Sequence, residues 1–118
     1  MENIYREHLI ELFSEKKNFG VLDGKTHEVR YTNPVCNDEI IFDLKVENSI
    51  IKDAKFRGNM CFVSTISAEI LAENIKGMTI DELKKLKKED IDKFLGVEID
   101  PTRVGCELFP LEALKKLK

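Results

Sequence analysis

The sequence predicts an α+β fold, in which a three-stranded antiparallel sheet packs against helices in two layers. Segments in which apolar and polar residues alternate are grouped between residues 27 and 56, and segments with helical spacing flank them on both sides. The connections between the strand segments are short, which favours an antiparallel meander. Because strands and helices are segregated along the chain, we expect the helices to cover one face of a small sheet.

Three segments have the two-residue period of strands. The first, residues 27–32, stops at the turn-forming pair Asn33-Pro34. The second, residues 40–47, alternates most clearly and predicts a half-buried strand. A short turn at residues 47–49 leads to the third segment, which continues from Ile50 to Phe56.

Five segments are predicted to be helical. Thr79 with Asp81-Glu82 after it is typical of an N-cap followed by an acidic first turn, and Gly96 is expected to close a helix. The mixed charges from Asp81 to Lys93 indicate a solvated helical face. The predicted helices are residues 3–15, a long helix from near Cys61 to Gly77, a short one from Thr79 to Leu86, residues 88–94 and residues 107–117.

Composition limits the class of protein. The chain has 118 residues, of which 42% are hydrophobic and 35% charged, so we expect one globular domain over residues 1–118. A net charge of −3 without a dominant basic block disfavours a nucleic-acid partner. No apolar run approaches the length of a membrane span and no signal peptide is recognised, so we expect no membrane partner and a cytoplasmic location.

The three cysteines, Cys36, Cys61 and Cys106, are the residues that most suggest chemistry. An odd, widely spaced set does not form a disulfide framework, which leaves packing or thiol chemistry in a reducing compartment. No Cys-x-x-Cys pair is present, so a ferredoxin, a zinc ribbon and a thioredoxin-type motif are excluded. Each cysteine falls at a predicted junction between elements, where functional residues concentrate.

The residues around the cysteines also indicate thiol chemistry or metal binding. Cys61 and Cys106 each precede a predicted helix, whose N-terminal N–H groups stabilise a thiolate, and Arg103 could add positive charge. In an extended segment Cys36 and Asp38 would face the same side. Three thiolates and one carboxylate make the four ligands of a tetrahedral metal site, although Asp38 alone is also typical of a turn.

Four stretches of the chain resemble the iron–sulfur cluster assembly scaffolds of the NifU N-terminal, IscU and SufU type. The most specific is Asn33-Pro34-Val35-Cys36-Asn37-Asp38, which is close to the family's Asn-Pro-x-Cys-Gly-Asp. The other three are residues 17–22, 56–67 and 103–108, the last two of which contain Cys61 and Cys106. The resemblance covers nearly the whole chain and implies the SufE/NifU-like form of the α+β fold predicted above.

The resemblance implies that Cys36, Asp38, Cys61 and Cys106 bind a transient [2Fe–2S] cluster, or zinc in the isolated protein. It implies a non-enzymatic scaffold that receives sulfur from a cysteine desulfurase and passes clusters to acceptor apo-proteins. Gly105 stands where the IscU branch has histidine, which leaves Asp38 as the fourth ligand. Residues 99–103 match poorly the segment that a dedicated chaperone binds in that branch, so a chaperone partner is left open.

The sequence leaves two other functional interpretations open. In the first, zinc held by the same four residues keeps the thiols in place for a SufU-like sulfurtransferase that works with a cysteine desulfurase. Arg103 near the third cysteine fits the SufU branch, but the stretch from Cys61 to Cys106 is too short for the insertion of that branch. In the second, the metal is a structural zinc ion in an interaction domain, which would unfold without it.

Overall fold

The predicted meander is present in the computed structural model of the chain, which describes residues 2–33 and 37–117, with the side chains of residues 2–6 left out. Strands β1 (His27–Thr32), β2 (Glu39–Glu47) and β3 (Ile50–Asn59) form an antiparallel sheet in the order β1-β2-β3. The β2–β3 turn has positive φ at Asn48 (54°) and Ser49 (66°), as a two-residue hairpin turn of the primed type requires.

Five helices and one 3₁₀ turn make up the helical part of the described chain. They are α1 (Glu2–Glu15), α2 (Phe62–Asn74), α3 (Ile80–Lys84), α4 (Lys88–Leu95), the 3₁₀ turn Pro101–Arg103 and α5 (Val104–Leu114). The predicted capping at α3 is confirmed, since Thr79 and Glu82 form a reciprocal capping box. Gly96 ends α4 in the left-handed region with φ 79°, also as predicted. None of the described helices is long and apolar enough to cross a membrane.

The predicted bounds of α5 were wrong. The helix begins at Val104 rather than residue 107, so Cys106 lies inside its first turn, and it ends at Leu114 rather than residue 117. The 3₁₀ turn explains the early start: the Asp100 side chain accepts from Thr102 N at 2.9 Å, and Pro101 presets the helical φ. Helix α2 likewise ends at Asn74, before the predicted Gly77, which lies in the following turn with φ 93°.

The core lies between one face of the sheet and helices α2 and α5. Ile40, Phe42 and Leu44 of β2 point into it, as the predicted alternation requires. Helix α2 is buried nearly all round, which is typical of a central helix. The other fully buried side chains of the core include Phe56, Ile66, Leu71, Ile75, Leu83, Ile91 and Phe109.

The opposite face of the sheet is partly covered by the segment that links α1 to β1. Asn18 O accepts from Phe56 N at 2.9 Å and Gly20 N donates to Phe56 O at 2.8 Å, which extends the sheet along the edge of β3. Leu22 N then donates to the fully buried Asp43 carboxylate at 3.1 Å. The alternation predicted Asp43 for the polar face of β2. Asp43 lies on that face, but Lys25 and Arg57 enclose its carboxylate, so it does not face solvent.

Candidate metal centre

Cys61 lies at the junction of β3 and α2, where the sequence predicted it. It is the N-cap of α2, with φ −69° and ψ 170°, so the chain leaves the strand extended and turns into the helix at this residue. The Cys61 Sγ atom accepts a hydrogen bond from Ser64 N at 3.4 Å. The thiol therefore takes the position that a serine or aspartate oxygen more often occupies at a helix start.

Asp38 reaches the same point from the start of β2. The antiparallel register pairs Glu39 with Asn59, so the residues on either side of this pair, Asp38 and Cys61, lie close together. The Cys61 backbone N–H donates to Asp38 Oδ2 at 3.4 Å. A thiol and a carboxylate that are 23 residues apart in sequence are thus brought together by the sheet.

Cys106 approaches from α5. Its carbonyl oxygen accepts from the Ser64 hydroxyl at 2.9 Å, and its side chain interacts with that of Cys61. One turn further along, the Ser67 hydroxyl donates to Glu107 O at 2.6 Å, so two serines of α2 hold the first turn of α5. Cys61 and Cys106 are both partly exposed.

Cys36 lies outside the described residues. The backbones that flank it are held together, since Asn33 N donates to Asp38 O at 2.8 Å. Within residues 2–33 and 37–117, no three cysteine, histidine, aspartate or glutamate side chains are grouped closely enough to hold a metal ion. The structure therefore places Asp38, Cys61 and Cys106 in the same region without grouping their side chains as a set of metal ligands, and the role of Cys36 stays a prediction.

The groups around Cys61 lower the pKa of its thiol. Burial raises its pKa, but hydrogen bonds with the Ser64 hydroxyl, the Ser64 N–H and the Cys106 side chain outweigh that effect. The nearby Asp38 carboxylate opposes them, and the net result is a pKa below the ordinary value for cysteine. A lowered pKa favours the thiolate, which is the form that binds metals and attacks sulfur. The donor set, two thiols and a carboxylate, fits zinc or iron.

The sequence did not predict a buried acidic residue next to Cys106. Glu107 is fully buried between α4 and α5, and neither of its carboxyl oxygens has a hydrogen-bond partner among the described residues. Burial and the neighbouring Asp92 raise its pKa to about 8. Asp92 and Lys88, which the charge pattern placed on a solvated face, turn inward: Lys88 Nζ lies 2.7 Å from Asp92 and 3.9 Å from Glu107. The position of Glu107 directly before the apolar run 108–111 was the only available signal.

Arg103 and the two histidines lie apart from the thiols in the described contacts. Arg103 is exposed at the end of the 3₁₀ turn, where its charge acts on Asp100. His27 hydrogen-bonds the Thr26 hydroxyl at 2.7 Å, and His8 is exposed on α1. The contribution of Arg103 to the Cys106 thiolate stays a prediction.

An exposed aromatic surface begins directly beside Cys61. Phe62 is 38% exposed and its ring lies 5.0 Å from that of Phe13 on α1. The Lys16 ammonium lies 4.4 Å from the centre of the Phe13 ring and 5.5 Å from that of Phe19, which is also exposed. Apolar rings at the surface next to reactive thiols are typical of a site that meets a protein partner.

The fold and the site define a small α+β domain in which the ends of a sheet and two helices present thiols and a carboxylate. The family model described as the NifU-like N terminal domain matches residues 4–116, and the chain belongs to this family. The predicted family resemblance and the predicted fold class are both confirmed.

Individual relatives are similar over most of their length. The chain is 33% identical to the "Iron-sulfur cluster assembly protein IscU" of Plasmodium falciparum, over 94% of this chain and 69% of that protein. It is 29% identical to the "Zinc-dependent sulfurtransferase SufU" of Bacillus subtilis, over 98% of this chain and 90% of that protein. The crystal structure of FiSufU from Fervidobacterium islandicum, described as a cluster assembly scaffold for the SUF system, superposes with a TM-score of 0.77 at 25% identity, covering 94% of this chain and 93% of that one.

Proposed function

We propose that this protein is an iron–sulfur cluster assembly scaffold. A [2Fe–2S] cluster would be built on Cys36, Asp38, Cys61 and Cys106 and then passed to acceptor apo-proteins. The observation that carries the proposal is the convergence of Asp38, Cys61 and Cys106 from three separate elements. The relatives named as IscU cluster assembly proteins support the same function.

Sulfur would arrive as a persulfide from a cysteine desulfurase. A thiolate of the scaffold attacks the outer sulfur of the donor persulfide, and the S–S bond of the donor breaks with its electron pair left on the donor thiolate. Two electrons from an external reductant then convert the transferred sulfur to sulfide. The lowered pKa of Cys61 supports thiolate formation at this site, and the aromatic surface of Phe13, Phe19 and Phe62 supports docking of a protein donor.

The ligand set explains why a cluster would leave. Iron is held less tightly by an oxygen of Asp38 than by a fourth thiolate, because soft sulfur ligands suit iron–sulfur clusters better. Partial exposure of Cys61 and Cys106 gives acceptors access to the cluster. Such a protein stores and transfers its cargo without turning over a substrate of its own.

The second candidate is a zinc-dependent sulfur acceptor. The relative named as a zinc-dependent sulfurtransferase favours it, and a tetrahedral set of three thiolates and a carboxylate suits zinc. Zinc would be held by the same four residues and would keep the thiols deprotonated and in place until one accepts sulfur. A purely structural zinc role is less well supported, because the fold has a continuous hydrophobic core between the sheet, α2 and α5.

Anaerobic reconstitution separates the two functions. Iron and sulfide are added to the metal-free protein and to each of the Cys36→Ala, Cys61→Ala and Cys106→Ala variants, and the visible spectrum is recorded. The scaffold predicts a [2Fe–2S] chromophore in the wild type that each variant weakens or loses. No chromophore, together with zinc-dependent stimulation of desulfurase turnover, would establish the sulfurtransferase instead.

A further inference from the structure

Ser64 is placed between the two described cysteines. Its side chain is fully buried, and its hydroxyl oxygen lies 3.4 Å from Cys61 Sγ and donates to Cys106 O at 2.9 Å. Its backbone N–H also donates to Cys61 Sγ at 3.4 Å. A single residue of α2 thus contacts the sulfur of one candidate ligand and the backbone of another.

We infer that Ser64 is a positioning residue that fixes the Cys61 thiol relative to Cys106 and so presets their spacing for the cargo. A serine hydroxyl has one proton and two acceptor lone pairs. In the metal-free protein its proton is directed to the Cys106 carbonyl, and its oxygen lies within reach of Cys61 Sγ, so that rotation of the O–H bond turns the proton to a Cys61 thiolate. Moving the Cys61 side chain or the Cys106 backbone away breaks one of these bonds inside the protein, where an unmade hydrogen bond is costly.

The inference deepens the proposed function and rests on it only for the identity of the cargo. Metal ligands depend on hydrogen-bonded neighbours for their orientation, and removal of such a neighbour typically weakens metal binding 10- to 100-fold. Ser64 fills this role for a sulfur ligand. Because its backbone N–H remains in any substitution, we expect the loss of the hydroxyl to fall at the lower end of that range.

The same helix supplies two matched controls. The Ser67 hydroxyl also joins α2 to α5, through Glu107 O at 2.6 Å, but its described contacts include no sulfur. The Thr65 hydroxyl donates to the Cys61 carbonyl at 2.9 Å, so it touches the same residue at its backbone and not at its thiol. Ser67→Ala and Thr65→Val therefore remove comparable bonds, whereas only Ser64→Ala removes one that reaches a sulfur atom.

The test is a titration of the metal-free protein with Co²⁺, followed by the thiolate-to-cobalt charge-transfer absorption. We expect Ser64→Ala to bind Co²⁺ about 10-fold more weakly than wild type, and Ser67→Ala and Thr65→Val to stay within about twofold. Ser64→Thr, which keeps the hydroxyl, is expected to retain most of the affinity. Thermal melting of each metal-free variant measures the loss of stability separately, and Ser64→Ala and Ser67→Ala should lose similar amounts.

Equal cobalt affinity in Ser64→Ala and Ser67→Ala would overturn the inference, as would an equal loss in Ser64→Ala and Ser64→Thr, because packing rather than the hydroxyl would then be responsible. Iron and sulfide reconstitution of the wild type is run in parallel. If no cluster forms there, the proposed function fails while the cobalt result still decides the role of Ser64. The two failures are therefore distinguishable.

Discussion

The backbone N–H of Cys61 donates a hydrogen bond to Oδ2 of Asp38 at 3.4 Å, across 23 residues of sequence. The contact follows from the strand register, since Glu39 and Asn59 form the pair next to it. The ends of β2 and β3 therefore place the Asp38 carboxylate next to the Cys61 backbone.

The substitution Asp38→Ala is expected to lengthen the lifetime of a reconstituted cluster. The carboxylate is the hardest ligand of the proposed set and so the first to release iron, and its removal leaves the thiolates to hold the cluster. The measurement is the decay of visible absorption under air after anaerobic reconstitution. An unchanged lifetime would count against the carboxylate as the labile ligand.

Asp38→Asn is the matched variant for that experiment. An asparagine oxygen still accepts from the Cys61 N–H, so the local hydrogen bond is kept while the charge is removed. If both variants lengthen the lifetime, the charged ligand is responsible. If only Asp38→Ala does so, the hydrogen bond to Cys61 controls release and the ligand role of Asp38 is wrong.

Gly58→Ala is expected to destabilise the protein by about 3 kcal/mol or more and to disturb the site. Gly58 has φ 145°, and a Cβ added there would clash with the carbonyl oxygen of Glu39. This position faces the strand end that carries Asp38, so the displacement required to fit a methyl group moves Asp38 away from Cys61. Urea denaturation and Co²⁺ titration of the metal-free variant measure the two effects.

Gly105→Ala is the control for that substitution. Gly105 lies in the first turn of α5, and an added Cβ meets no atom within 4 Å. Because alanine favours helix more than glycine does, we expect a gain of about 0.5–1 kcal/mol. A similar loss in both glycine variants would contradict the steric argument made for Gly58.

The sequence predicted those features that depend on short-range patterns. The alternation at residues 40–47 identified β2, but the strand is not half-buried as predicted, since residues 40–44 are buried on both faces. Thr79 and Gly96 marked helix ends because capping is local. The start of α5 was misplaced because Asp100 caps a 3₁₀ turn that adds residues before the apolar run. A capped turn of this kind is not marked by regularly spaced apolar residues, so hydrophobic periodicity does not predict it.

Features that depend on packing between distant segments were not predictable. Asp43 lies on the face of β2 that alternation assigns to solvent, and only the fold of the loop around Leu22 buries it. Glu107 is buried because α4 packs over it. For the site, the residue types and the family resemblance indicated that Asp38, Cys61 and Cys106 belong together, and the strand register and the contact between α2 and α5 bring these positions close. The place of Cys36 in the ligand set stays a prediction.

Glu107→Gln is expected to stabilise the metal-free protein at pH 7, by an amount on the order of 2 kcal/mol. With a pKa of about 8, the buried carboxyl keeps a proton at pH 7 that the unfolded chain releases, and this difference costs stability. Glutamine has the same shape and no charge, and its amide donates to Asp92. Urea denaturation measures the change, and Glu112→Gln on the exposed side of α5 should have almost no effect.

The backbone N–H and the side-chain amide of Asn18 donate to the two oxygens of the buried Glu69 carboxyl at 2.9 and 2.8 Å. Lys76 in turn donates to Asn18 Oδ1 at 2.7 Å. Asn18→Ala keeps the backbone bond but leaves one buried carboxyl oxygen and the Lys76 ammonium without this partner. We expect a loss of about 2 kcal/mol in urea denaturation at pH 7.

The loss of stability in Asn18→Ala is expected to depend on pH. Burial raises the pKa of Glu69, and the hydrogen bonds from Asn18 hold it down in part. A raised carboxyl pKa means that the folded state keeps a proton that the unfolded state has lost, so stability falls as pH rises from the ordinary value towards the raised one. Without the Asn18 amide the pKa of Glu69 rises further, and Asn18→Ala should lose more stability at pH 7 than at pH 4.5.

In the double variant Asn18→Ala/Glu69→Gln the extra loss at pH 7 should disappear, because no group at position 69 titrates. Persistence of the loss there would show that Asn18 acts through the edge of β3 and not through the carboxyl.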